Sequence, residues 1–143
     1  MLIDTHCHLD AAEFAADRSA VLAAAQAAGV STIVIPAVEP ANFSAVRDCC
    51  LNYTGCHPAY GIHPLYTDRA EQNDLAIVRR VLADELAGPC PPVAVGEIGL
   101  DYYVPGYDIE RQTFFFLEQL KIARDFDLPV LLHVRRAVDQ VLM

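Results

Sequence analysis

Short β-branched runs alternate with longer amphipathic stretches along the whole chain. Residues 1–5 read as a strand, and residues 17–28 as a helix with Val21, Leu22, Ala25 and Ala28 on one stripe and Gly29 as its stop. Residues 31–35 form a second strand. Asn42 is placed to cap a helix reaching Leu51, in which Phe43, Val46 and Cys50 share a face. Residues 55–62 read as a strand interrupted by Pro58, and Asn73 as the cap of a helix to Leu86. Pro91 and Pro92 lead into a strand at 93–95. Residues 107–126 carry the clearest helical period, 130–133 the next strand, and Ala137 starts a fifth helix. Continuous apolar strands joined by crossovers of this length predict a parallel sheet. No glycine-rich phosphate fingerprint follows the first strand, which excludes a dinucleotide-binding reading. Two arrangements remain: an open doubly wound sheet, which periodicity alone favours, or the first five units of a barrel. A closed (β/α)8 barrel needs about 250 residues, more than the 143 present.

Composition sharpens this picture. Adding the 7 glycines to the 54% of hydrophobic residues brings the apolar share to about 59%, against ~45–50% for an ordinary domain. Either both faces of the sheet are covered, or some surface expects a partner. The length fits one domain over residues 1–143. A net charge of −9 argues against broad nucleic-acid binding through a positive surface. The opening MLIDTHCHLD is no signal peptide, and no apolar run is long enough to span a membrane. Five cysteines without a CxxC spacing point to a reducing, cytoplasmic setting, with most of them, Cys7 included, serving as packed small hydrophobes.

The candidate chemistry gathers at strand ends. His6 and His8 follow the first strand one residue apart, so both rings project to the same side and can converge on one cation. Asp4 and Asp10 flank them and are candidates to orient a ring nitrogen. Glu97 ends an apolar run between Gly96 and Gly99; a carboxylate there needs a cation or strong donors. His133 ends the most apolar strand. Each has an ordinary structural explanation alone, but three imidazoles and a carboxylate at strand ends form a ligand set for a divalent metal. His63, Arg135 and Arg136 are placed to meet a phosphate or to cap loops. Asp101, Tyr102 and Tyr103 form the expected loop after Glu97, where an aromatic ring can stack on a base. His57 reads as structural.

Asp4-Thr5-His6-Cys7-His8-Leu9-Asp10, Gly61-Ile62-His63-Pro64, Gly96-Glu97-Ile98-Gly99-Leu100-Asp101-Tyr102 and Leu132-His133 with Arg135-Arg136-Ala137 occur in that order. Together with Gln119-Leu120 and Leu128-Pro129-Val130, they resemble the TatD-family metal-dependent deoxyribonucleases. The resemblance implies a TIM-barrel, (β/α)8 hydrolase of the amidohydrolase-like superfamily. It implies two divalent ions (Mg, Mn or Zn) acting on DNA ends or short single-stranded DNA. His6 and His8 would hold one metal, Glu97 would bridge, and His133 would help to bind the second. His63 and Arg135 would approach the phosphate, with Asp101, Tyr102 and Arg136 as further loop contacts. The family pattern continues beyond Met143 with another histidine and a late-strand aspartate, for which Asp139 is no substitute by position. The expectation is therefore an incomplete domain of about five β/α units, lacking three, with a second copy as one means of completing the barrel. The rival readings are a non-catalytic remnant and an ester or amide hydrolase of the same superfamily.

Overall fold

The β-branched and apolar runs do form strands, and each is followed by a helix that covers one face of the sheet. The computed structural model describes residues 1–143. The strands are β1 (Leu2–Asp4), β2 (Val30–Pro36), β3 (Cys56–Tyr60), β4 (Ala94–Asp101) and β5 (Val130–Arg135). They alternate with α1 (Arg18–Ala27), α2 (Phe43–Asn52), α3 (Gln72–Glu85), α4 (Ile109–Asp125) and α5 (Val138–Leu142). All pairings are parallel and the spatial order is β1-β2-β3-β4-β5. A doubly wound sheet reverses its strand order at a switch point; this one never does. The fold is thus a partial (β/α)5 barrel, not the open sheet that periodicity favours, because strand order is decided by how successive crossovers stack and not by any one segment's pattern.

The helix-facing side of the sheet holds the main core. Leu22, Ile33, Ile35, Val46, Tyr60, Val78, Leu82, Ile98, Leu100, Phe115 and Ile122 belong to one buried cluster, whereas the opposite face has only Val34, Ala59 and Ala94, with Val93 and Leu131 beside them. Apolar side chains left exposed include Leu2 and Ile3 on β1, Leu132 and Val134 on β5, and Phe114 and Leu117 on α4. The apolar excess in the composition therefore sits largely at the two sheet edges and on the last long helix.

Three boundaries differ from the sequence reading. Helix α3 is capped by Glu71, whose side chain receives an amide while Asp74 returns the bond to Glu71; Asn73 lies inside the helix. Asn42 precedes α2 but does not cap it; its Oδ1 accepts the amides of Val38 and Glu39 in the preceding turn. Strand β4 runs eight residues, to Asp101, and all eight are buried. Glu97 is consequently a mid-strand residue, and Asp101 ends the strand instead of starting a loop. No helix is long and apolar enough to cross a membrane.

Candidate metal centre

Glu97 stands where the β4–β5 ladder shifts register, between Val95 and Ile98. A break of this kind frees a side chain from ladder alternation and re-aims it; the Glu97 amide donates to the Ala37 carbonyl instead (3.1 Å). Its carboxylate is 5% exposed and is ringed by four imidazoles. Oε2 lies 3.0 Å from His6 Nε2 and 3.5 Å from His8 Nε2. Oε1 lies 3.0 Å from His133 Nδ1 and 3.7 Å from His63 Nε2. Two ligand groups result, His6–His8–Glu97 and His63–Glu97–His133, each with its ligand atoms within 4.8 Å of one another.

The proton positions decide whether such a cluster suits a cation. His8 Nδ1 lies 3.1 Å from the Pro36 carbonyl oxygen, which can only accept. The neutral ring therefore carries its proton on Nδ1 and turns a bare Nε2 toward Glu97 and toward His6 Nε2, 3.3 Å away. His133 Nε2 lies 2.9 Å from Asp101 Oδ2, again an acceptor, so the neutral ring turns a bare Nδ1 toward Glu97. Lone pairs facing lone pairs at these distances repel unless a proton or a cation lies between them. This is the arrangement of ligating histidines whose other nitrogen is bonded to a carboxylate or carbonyl, and the residues fit a divalent ion.

The pKa directions have the same origin. Hydrogen bonding to Glu97 raises both His8 and His133 above the ordinary imidazole value. Burial pushes the Glu97 carboxyl up, but the bonds to His133 and His8 outweigh it and hold the group well below the usual carboxylate range. Asp101, 1% exposed, behaves likewise: burial raises it, and His133 with the Val104 and Tyr103 amides lowers it further. Burial dominates at His63 and lowers it to about 4, so that ring is neutral at physiological pH.

Of the other candidates, Arg135 and Arg136 stack on the Tyr103 ring, with guanidinium carbons 3.7 and 4.6 Å from its centroid. Arg135 follows His133 by two residues on β5 and so shares its face. Tyr102 packs against the main core, leaving Tyr103 as the exposed ring of the pair. Neither flanking aspartate orients a histidine ring: Asp4 accepts the His6 backbone amide and Asp10 accepts from Asn42 Nδ2. The Pro36 carbonyl and Asp101 do that work, because crossing strands bring them closer to the rings than local neighbours can reach. A groove of about 440 Å³ lined by His8, Asp10, Asn42, His63 and Tyr66 opens beside the cluster.

The family model described as TatD related DNase matches residues 3–143. The chain belongs to this family. It is 41% identical over 141 residues to the uncharacterized metal-dependent hydrolase YjjV of Escherichia coli strain K12, covering 99% of this chain and 53% of that protein. It is 32% identical over 136 residues to the 3′-5′ ssDNA/RNA exonuclease TatD of Cronobacter sakazakii, covering 95% and 50% respectively. The crystal structure of E. coli YjjV superposes with a TM-score of 0.89 at 41% identity, over 97% of this chain and 52% of that one. A TatD-family hydrolase from Entamoeba histolytica, 21% identical, shares the fold with a TM-score of 0.86, over 99% of this chain and 52% of that one. The chain spans about half the length of the curated relatives it matches.

Several residues support this TatD-type site through contacts that sequence reasoning does not supply, Gln119 among them although it stands in a family-like motif. Gln119, buried on α4, accepts the Ile62 amide (2.6 Å) and donates to the Ile62 carbonyl (3.1 Å), fixing the segment that enters His63. Gln112, one helical repeat earlier, accepts the Asp101 amide (2.9 Å). Arg18 clamps the loop after His8 by donating to the carbonyls of Leu9 (2.6 Å), Asp10 (3.0 Å) and Ala11 (3.0 Å). The available signal is two glutamines seven residues apart on the same helix face as Phe115, Phe116 and Ile122, where polar groups need specific partners.

Proposed function

We propose that this domain hydrolyses DNA phosphodiesters with divalent cations, acting on DNA ends or short single-stranded DNA. The observation that carries the reading is the convergence of bare imidazole nitrogens on one buried carboxylate, Glu97. His6, His8 and Glu97 would hold one cation; Glu97 and His133 would hold the second, with Mg, Mn or Zn as the fitting ions. Bound there, the cations supply charge neutralisation on the phosphate oxygens and the leaving group. The chain's own residues do the positioning. His63, neutral and 3.7 Å from Glu97, is placed to hydrogen-bond a phosphate oxygen, and Arg135 to clamp one with its fork of donors. Tyr103 holds Arg135 and Arg136 at the rim, where their ring-stacked planes form a platform for a terminal base. With a net charge of −9 the DNA contact stays local to these groups. The substrate named for the Cronobacter relative, single-stranded DNA or RNA, supports the same class.

The five free cysteines support a reducing, cytoplasmic compartment. The open edges at β1 and β5 support pairing with a second copy of the chain wherever no further strands cover them. The deciding experiment follows nucleotide release from end-labelled single-stranded DNA with Mg²⁺, Mn²⁺ or Zn²⁺, beside a panel of small esters and amides. Cation-dependent release that disappears in Glu97→Gln supports the nuclease reading. Turnover of esters or amides alone would replace it with the sister hydrolase class, and cation binding without any turnover would mark a non-catalytic domain.

A further inference from the structure

The two rings of the second ligand group are joined in a hydrogen-bond chain whose two ends are backbone amides. At one end the Leu65 amide, in the turn Pro64–Tyr66, donates to His63 Nδ1 (3.1 Å). A nitrogen that accepts carries no proton, so neutral His63 bears its proton on Nε2. That N–H points at His133 Nδ1, 3.0 Å away. On its far side His133 gives its Nε2 proton to Asp101 Oδ2 (2.9 Å). The other oxygen, Asp101 Oδ1, is held by the amides of Tyr103 (2.9 Å) and Val104 (3.1 Å). Every donor in this series faces an acceptor; the one contact the order leaves as acceptor against acceptor is His133 Nδ1 with Glu97 Oε1 (3.0 Å), where a cation would sit.

We propose that Asp101 and the Leu65 amide are positioning groups that fix the tautomers of the two rings, so that His133 offers a bare Nδ1 to a cation while His63 offers an N–H and is not a ligand. The proposal rests on the metal-dependent reading above. It separates two residues that distance alone would group together: His63 lies close enough to ligate, but its proton is on the wrong nitrogen. His63 is thereby kept for an acceptor such as a phosphate oxygen. Asp101 acts on the cation only through His133, which makes a loop contact to substrate unnecessary to explain its burial.

Three measurements test this. In the cation-free protein at about pH 9, above the ordinary imidazole range, long-range ¹⁵N–¹H correlation spectra should show both His63 and His133 protonated at Nε2. A proton on His63 Nδ1 overturns the proposal. In Asp101→Asn, the side-chain oxygen stays with the Tyr103 and Val104 amides, so the amide nitrogen turns to His133 Nε2 and drives the ring proton onto Nδ1. The expected result is a reversed His133 tautomer with a loss of about 10–100-fold in affinity for the second Zn²⁺, and Asp101→Glu should restore the tautomer. An unreversed tautomer or an unchanged affinity contradicts it. His63→Gln should leave the number of Zn²⁺ bound unaltered; loss of one equivalent would make His63 a ligand and sink the idea even if Asp101→Asn failed to fold. The expected tautomers without DNA hydrolysis would refute the functional reading and leave the positioning roles standing. Hydrolysis with a His63 Nδ1 proton would do the reverse.

Discussion

Gly99→Ala should be among the most damaging single substitutions in the chain, although it adds only one methyl group. Gly99 pairs with His133 across the β4–β5 ladder and adopts φ +142. A Cβ built there would lie 2.0 Å from the His133 carbonyl oxygen and 2.9 Å from its carbonyl carbon. To reach even a tight contact, β5 must retreat by about 1 Å at the residue that presents the ligand, whereas such sites tolerate ~0.5 Å. The backbone strain contributes about 1–3 kcal/mol and the overpacking about the same, so the expected loss is ~2–6 kcal/mol from a domain total of ~5–15 kcal/mol. Gly106→Ala is the control: Gly106 has φ +89, but nothing lies within 4 Å of its added methyl, leaving backbone strain alone. Urea unfolding of the two variants, with Zn²⁺ titration of each, separates the effects. Gly99→Ala should unfold at a clearly lower urea concentration than Gly106→Ala and bind the second ion more weakly. Equal midpoints, with equal Zn²⁺ affinities, would refute the claim that close strand approach at Gly99 sets the His133 geometry.

Glu97→Gln removes the carboxylate that both ligand groups share, and calorimetry should find both Zn²⁺ affinities reduced by more than about 100-fold, beyond the range of an outer-shell change; retention of either ion would contradict a shared ligand. In the cation-free protein, His8 and His133 have raised folded pKa values, so their stabilising bonds to Glu97 are fully present below the ordinary 6.5 and are lost as pH rises through the raised values. The urea midpoint should therefore fall as the pH rises above about 6.5, and this slope should vanish in Glu97→Gln; a rising midpoint would show the sign to be wrong. Cation uptake at these pH values should release protons, read as a dependence of the calorimetric heat on the buffer. Arg18→Met removes three charged donor bonds to the loop after His8, each worth about 1.5–3 kcal/mol when buried and less at this half-exposed position; amide exchange should accelerate at residues 9–11, and unchanged protection would refute the clamp.

Much of the site was legible because metal chemistry needs scarce residue types at strand ends. His6, His8 and His133 stand out for that reason, and so does Glu97 as a carboxylate between glycines. The strand containing Glu97 was harder to delimit: hydrophobicity fades at Gly96, yet β4 continues because imidazoles from β5 and from the loops after β1 and β3 replace water around the charge. Asp101 looked like a loop residue for the same reason, being polar and next to two tyrosines, while its partner lies 32 residues away on β5. Helix positions follow the apolar period closely, but at α3 the sequence offers Asn73 as a cap, whereas the reciprocal Glu71–Asp74 pair, spaced for a capping box, is the stronger arrangement. Strand order could not be read from any segment, since open and closed stacking use the same alternation of strand and helix.

The claim that Glu97 is shared between two cation sites is tested most directly by anomalous diffraction from crystals of the protein soaked in Zn²⁺. Two peaks should flank the Glu97 carboxylate, one against His6 and His8 and the other against His133 Nδ1, with His63 outside both coordination spheres. A single peak, or one ligated by His63 Nε2, would contradict it.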